Sequence, residues 1–138
     1  MEKFATTGDP TVARCFRGHN DEISSLAFHP EMKQIVSCGY DKLVKVWSFK
    51  PQVSPFSWKG HKGPVLCVDY NTRGTKIVSC GKDGTVKTWP IKVKPKFKSI
   101  KAHVAPVRQV EFSPNDKYIL SVSDDKSAKV WRSRDLKF

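Results

Sequence analysis

Acidic residues are scarce in this 138-residue chain: 13 Asp and Glu stand against 25 Lys and Arg, for a net charge of +12. An imbalance of that sign favours acidic partners, whether nucleic acid, tubulin-like surfaces or anionic membrane, and says nothing about fold. The cysteines are few as well. Cys15, Cys38, Cys67 and Cys80 include no C-x-x-C pair, which argues against a zinc site or a thioredoxin-type motif. Cys38 and Cys80 lie in apolar, strand-like runs, so the expectation is small buried thiols in a reducing compartment. No apolar run approaches the ~20 residues that span a bilayer. Met1 to Pro10 has no apolar stretch of the kind a signal peptide carries, and a cytosolic or nuclear protein is expected. No phosphate-binding glycine loop, no metal-ligand spacing and no isolated nucleophile occurs, so an enzyme is the least favoured class and no cofactor or metal is expected.

What the chain does have is a period of 42 residues. His19, His61 and His103 keep it, as do Ser37, Ser79 and Ser121, then Asp41, Asp83 and Asp125, then Trp47, Trp89 and Trp131. A period near this length, with Gly-His at the start and a late Trp, marks the blade of a β-propeller. The expected fold is therefore all-β. Each blade is a four-stranded antiparallel sheet, and a ring takes about four to eight of them. Three repeats do not close an ordinary ring, so the chain reads as three blades of a longer one.

The repeats resolve into short strands with alternating apolar residues and turn signals between them. The first repeat gives Ile23 to Phe28, Gln34 to Cys38 and Leu43 to Phe49. The second gives Val65 to Tyr70, Lys76 to Cys80 and Thr85 to Trp89, and the third Val107 to Phe112, Lys117 to Val122 and Ala128 to Arg132. In the first strand, Ile23, Ser25 and Ala27 are expected on one face, with Leu26 and Phe28 on the other. Gly81-Lys82-Asp83-Gly84 carries a D-G hairpin signal, and Ser113-Pro114-Asn115-Asp116 a β-turn signal. Outer strands are expected at Pro55 to Trp58 and Lys96 to Ile100, with Ala13 to Phe16 in the same phase before the first repeat. Leu136 to Phe138 would be only the start of one. Residues 1–12 form an N-terminal tail, and residues 13–138 the propeller fragment, in repeats of about 13–49, 55–91 and 97–133. The third blade is incomplete, and the first outer strand should complete a blade outside this sequence.

A His, a Ser and an Asp in every repeat resemble a nucleophilic triad in composition. Three copies at a fixed period instead suggest a structural network. The Gly-His loop and the Asp turn fall at one end of the sheet. The His is placed to bridge that Asp and the Ser of the second strand, and the Ser to reach the indole of the third. Buried polar groups need partners, and one left unpaired costs about 1–3 kcal/mol.

These residues, with Gly18-His19 and Gly60-His61, resemble the WD-repeat proteins over roughly residues 12 to 134. The Trp-Asp dipeptide itself is replaced by Trp47-Ser48, Trp89-Pro90 and Trp131-Arg132, and Ala102 stands before the third His. A narrower likeness is carried by Cys15 to His19, Lys33 to Ile35 and Val46 to Gln52. It continues through Gly60 to Val68, Ala102-His103, Val107-Arg108 and Ser123 to Trp131. These stretches are similar to the opening of the proteome-of-centriole WD-repeat family. That resemblance implies a seven-bladed N-terminal propeller followed by a linker and a coiled coil. It also implies a structural role on the triplet microtubules of centrioles and basal bodies.

Positions that vary among the repeats are the candidates for partner contact on the loop-rich face. Glu22 and Ser24, Pro64 and Leu66, and Pro106 and Arg108 flank the first apolar residue of each inner strand. Tyr40, Lys82 and Asp124 precede the turn Asp. A second candidate is the lysine run around Lys94, Lys96 and Lys98, which alternation in a strand would set on one face for an acidic partner such as tubulin tails. Such lysines also guard an exposed edge. Only Phe97 interleaves with them, so the stacking pattern of nucleic-acid binding is weak; protein is the expected partner, with no membrane. The leading expectation is a non-enzymatic centriolar scaffold. The alternatives are a WD-repeat adaptor or substrate receptor, for example of a ubiquitin ligase, with Trp131 to Arg134 faintly like an adaptor-binding motif, or an RNA-processing scaffold.

Overall fold

The computed structural model describes residues 15–50, 53–91 and 94–137. Eleven strands and no helix occur among them. The first sheet contains β1 (Ile23–Phe28), β2 (Gln34–Gly39), β3 (Val44–Ser48) and β4 (Phe56–Trp58) in that spatial order. The second contains β5 (Val65–Tyr70), β6 (Lys76–Gly81), β7 (Thr85–Pro90) and β8 (Lys98–Lys101). The third holds β9 (Val107–Phe112), β10 (Tyr118–Ser123) and β11 (Ala128–Arg132), three strands among the described residues. Every pairing is antiparallel. Each sheet is one meander, as the repeat requires.

The blades stack face to face. Val36, Val44, Val46 and Trp58 of the first blade pack on Val65, Val68, Tyr70, Ile77 and Trp89 of the second. One period later, Val78, Cys80 and Val86 pack on Val107, Val110, Phe112, Ile119 and Trp131. The face of one strand is therefore buried only where a neighbouring blade exists. Val68 and Val110 are 3% and 2% exposed, whereas their counterpart Leu26 is 60% exposed. At the other end Val36 and Val78 are fully buried, and Leu120 is 42% exposed.

Three details differ from the reading of the sequence. A β-bulge falls between Ile23 and Ser25, between Val65 and Cys67, and opposite the Val122/Ser123 step, which leaves Ser24, Leu66 and Arg108 without a partner in the ladder. The extra residue resets the alternation. Val65, Val68 and Tyr70 thus share the buried face, and Ile23, Leu26 and Phe28 take its exposed equivalent, rather than Ile23 siding with Ser25 and Ala27. The lysine run is the second difference. Lys94 and Lys96 precede β8, and only Lys98 belongs to a strand, so alternation does not align the three; Pro95 between them has no N–H to offer a ladder. Third, Leu136 does not begin an outer strand. It turns back with φ 55°, and is buried against the cluster that holds Trp131. Of the N-terminal outer strand, Ala13 and Arg14 lie outside the described residues, as do the tail 1–12 and Phe138. Cys15 and Phe16 are not in a strand, and the Phe16 ring lies 5.4 Å from Trp47.

Two turn positions repeat in backbone conformation though not in residue type. Met32, Gly74 and Asp116 have φ of 58°, 69° and 59°, and Lys42, Gly84 and Lys126 have 70°, 77° and 71°. Glycine enters this left-handed region freely, and other residues do so at some cost.

Candidate functional site

Each blade carries one hydrogen-bonded chain running from its third strand to the turn between β2 and β3, or the equivalent. In the second blade Trp89 Nε1–H donates to Ser79 Oγ at 2.8 Å, Ser79 Oγ lies 2.7 Å from His61 Nε2, and His61 Nδ1 lies 3.1 Å from Asp83 Oδ2. In the first, Trp47, Ser37, His19 and Asp41 are joined at 2.8, 2.6 and 2.7 Å. In the third, Trp131, Ser121, His103 and Asp125 are joined at 3.0, 2.8 and 2.8 Å. The donors assign themselves. A carboxylate only accepts, so Nδ1 must carry the imidazole proton; Nε2 of the neutral ring then accepts from the serine hydroxyl, whose oxygen accepts from the indole. The indole, hydroxyl, imidazole and carboxylate of each set are thus linked with one proton direction.

The carboxylates do more than hold histidine. Asp83 also accepts from the Lys62 amide, and from the Thr85 amide and hydroxyl. Asp41 accepts from the Asn20 and Leu43 amides, and Asp125 from the Ser127 amide and hydroxyl. Burial pushes the Asp83 carboxyl up, but the bonds from His61 and Thr85 outweigh it and hold it well below the ordinary 3.8. Asp41 is lowered on the same balance, with His19 and two amides against burial. For Asp125 the Ser127 hydroxyl is the largest influence, and the carboxyl again falls below 3.8. A depressed carboxyl protonates more readily in the unfolded chain. Its stabilisation is therefore full above pH 3.8 and shrinks as pH falls below it. Urea midpoints followed from neutral pH to below 3.8 should stay level and then drop, and Asp83→Asn should flatten that drop.

In composition the Ser-His-Asp sets are triads, yet Ser79 and Ser121 are fully buried. Each serine oxygen already accepts an indole N–H, so the hydroxyls are engaged within the fold rather than presented to solvent.

The varying positions lie at the same end of each sheet as the Asp turn. Amides tie them in pairs, once per blade: Tyr40 N to Glu22 O at 2.9 Å, Lys82 N to Pro64 O at 2.9 Å, and Asp124 N to Pro106 O at 3.1 Å. Ser24, Leu66 and Arg108 are the three bulged residues. Ser24 turns inward, its hydroxyl donating to the Val65 carbonyl of the next blade and to the Cys38 carbonyl at 3.2 Å. Arg108 turns along the surface and grips Asp124 through two bonds of 2.9 and 2.7 Å. Lys82 Nζ sits 4.9 Å from the Tyr40 ring centroid, linking two blades. The loop end thus gathers Tyr40, Lys82, Arg108 and Asp124 as charge and aromatic surface over a fixed frame. Lys94, Lys96 and Lys98 lie apart from it and are exposed; the Lys98 ammonium donates to the Arg134 carbonyl.

One set of residues escaped the reading of the sequence although it keeps the same period. Lys45, Lys87 and Lys129 stand two residues before each Trp. Lys45 Nζ donates to Ser57 Oγ at 2.6 Å, and Lys87 Nζ to Ser99 Oγ at 2.7 Å, each clamping the third strand to the fourth. Lys129, whose blade has no fourth strand among the described residues, donates to the Ala102 carbonyl at 2.9 Å. Burial lowers the Lys87 ammonium from its ordinary 10.5. A basic residue inside an apolar strand reads as surface charge; only its period, not its chemistry, marked it as part of the frame. Among the described residues no group of His, Cys, Asp and Glu is arranged to hold a metal ion.

Comparison with known proteins bears on the frame. A family model described as WD domain, G-beta repeat matches residues 10–48, 52–90 and 94–132. The chain is 54% identical over 44 residues to POC1 centriolar protein homolog A of Danio rerio, which is 32% of this chain and 11% of that protein. It is 43% identical over 44 residues to POC1 centriolar protein homolog B of Xenopus laevis, covering 32% of this chain and 9% of that one. Echinoderm microtubule-associated protein-like 2 of Rattus norvegicus is 56% identical over 32 residues, 23% of this chain and 5% of its own length. The matched stretches thus span about a tenth or less of these relatives.

Proposed function

Because the chain belongs to the WD domain, G-beta repeat family, we propose that it is a non-enzymatic scaffold of the centriole or basal body. In this reading it attaches to microtubules and to neighbouring centriolar proteins through the ends and edges of its blades. The observation that carries the scaffold reading is the burial of all three serine hydroxyls under indoles. The chemistry of the repeat is consumed in holding the fold, which leaves the variable loop end and the exposed lysines for recognition. The centriolar part rests on the names of the POC1 homologs, and the microtubule part on the microtubule-associated relative together with the net charge of +12. Membership of a seven-bladed ring is part of the proposal. Its support is that Leu26 and Leu120 are open to solvent at the two ends, while their counterparts between blades are closed.

Co-sedimentation with microtubules, with and without the acidic tubulin tails, tests this reading. Binding should weaken as salt rises, because exposed charges are screened beyond ~8 Å at physiological ionic strength. Changing Lys94, Lys96 and Lys98 together to Ser should weaken it further at low salt, by roughly threefold or more if each exposed pair contributes about 0.2–1 kcal/mol. Binding indifferent to salt, tails and lysines would remove the electrostatic attachment.

A further inference from the structure

Cys67 and Cys80 are directly opposite each other on β5 and β6. Directly paired residues of antiparallel strands have Cα atoms about 4.5–5.5 Å apart, inside the range of about 4.4–6.8 Å that a disulfide accepts. Their side chains leave the same face of the sheet, and both thiols reach the same strand of the next blade. Cys80 Sγ donates to the Val107 carbonyl at 3.4 Å, and Cys67 Sγ to the Val110 carbonyl at 3.7 Å. The two differ in access. Cys80 is wholly buried and Cys67 is part-exposed, with the Ser25 hydroxyl 3.9 Å from its sulfur.

The frame does not require this pair. The same two positions are Ser25 and Cys38 in the first blade, and Gln109 and Val122 in the third. Blade stacking is therefore satisfied without two thiols, and only the second blade sets one beside another.

We propose that Cys67 and Cys80 form a peroxide-responsive thiol pair, with Cys67 the attacking and Cys80 the resolving residue. The Cys67 thiolate attacks one peroxide oxygen; the O–O bond breaks, and the departing hydroxide takes a proton to leave as water. The resulting Cys67 sulfenic acid is then attacked by the Cys80 sulfur. The S–O bond breaks, its oxygen leaves as a second water with the Cys80 proton, and the disulfide closes. Two thiols are oxidised and one peroxide is reduced to two waters. The local chemistry suits the roles. The Cys80 thiol beside it lowers the Cys67 thiol against the opposing effect of burial, and Ser25 adds to this, bringing it to about 6. Cys80 is held well above the ordinary thiol range by the same contact and by burial. Cys38, raised to about 12 by burial, does not compete with Cys67 for the first attack on peroxide.

The test uses the whole chain and hydrogen peroxide. After substoichiometric oxidation and alkylation of the remaining thiols, tryptic digestion separates all four cysteines. Cys67 lies in Gly63–Arg73 and Cys80 in Ile77–Lys82. The expected product is these two peptides joined, lighter by two hydrogens than their sum. In Cys80→Ser the joined product should vanish and a dimedone adduct should accumulate on Cys67. On the unaltered chain, the alkylation rate of Cys67 should reach half its maximum near pH 6. A disulfide involving Cys15 or Cys38, first labelling at a residue other than Cys67, or Cys67 passing to sulfinic acid with Cys80 still reduced would each overturn the proposal.

Discussion

Trp89→Ala is expected to lower the stability of the chain by about 3–5 kcal/mol, the range for removing a large buried aromatic side chain. Trp89 is 1% exposed and holds three things together. Its ring stacks on Trp58 of the first blade, at 5.4 Å between centroids and 15° between planes. It meets Phe97 at 4.5 Å, and its N–H donates to Ser79. The substitution opens a cavity between blades and strips Ser79 of its donor together. Trp89→Phe weights the two effects differently, since it keeps a six-membered aromatic ring but loses the N–H and the pyrrole atoms, and should cost less than Trp89→Ala, about 1–3 kcal/mol. Urea unfolding measures both. A loss from Trp89→Ala no larger than that from Trp89→Phe would show that the stack contributes little.

Asp83→Ala should destabilise by about 1–3 kcal/mol, whereas Lys82→Ala should stay near neutral. The two are adjacent in one turn, so the comparison isolates the side chains from the backbone that carries them. Asp83 accepts from the His61 ring, the Lys62 amide and the Thr85 amide and hydroxyl, and its loss leaves the buried imidazole and the half-buried Thr85 donors unmet. Lys82 is exposed, with its ammonium over the Tyr40 ring. Equal denaturation midpoints for the two variants would contradict a structural role for the hydrogen-bonded chain.

The sequence revealed most where chemistry forces one residue type. An imidazole that accepts at one nitrogen and donates at the other has no substitute between Ser and Asp, so His19, His61 and His103 repeat openly. The fold class, the strand positions and the stacking of blades followed from them. Where several residue types meet one demand, the period disappears from view. The left-handed turn position is filled by Met32, Gly74 and Asp116, and no reading by residue type would align them. The bulges at Ser24, Leu66 and Arg108 are hidden for the same reason. They put Ile23 on the face opposite to the one alternation predicts, because strict alternation cannot register an inserted residue. The lysine run failed as a strand for a local reason, in that Pro95 interrupts the amides that would have continued β8 upstream. The buried lysines Lys45 and Lys87 are marked by spacing alone, because a charged residue in a strand otherwise suggests solvent.

The bulge has a consequence for how such a protein changes over time. In a regular ladder every side chain is either packed against a neighbouring blade or set on the opposite face by the pleat, so a substitution is felt in the stacking. A residue outside the ladder is released from the alternation, and its side chain can turn inward, as Ser24 does, or along the surface, as Arg108 does. Ser24 donates to backbone, Leu66 is half-buried, and Arg108 forms an ion pair, all at one structural address and without altering the strand that carries them. Each blade thus contains a position where residue types as different as Ser, Leu and Arg stand on the same strand geometry. Adjacent blades hold these positions at one end of the sheets. Binding preference in a propeller of this kind can drift one blade at a time while the strand geometry beneath it stays the same.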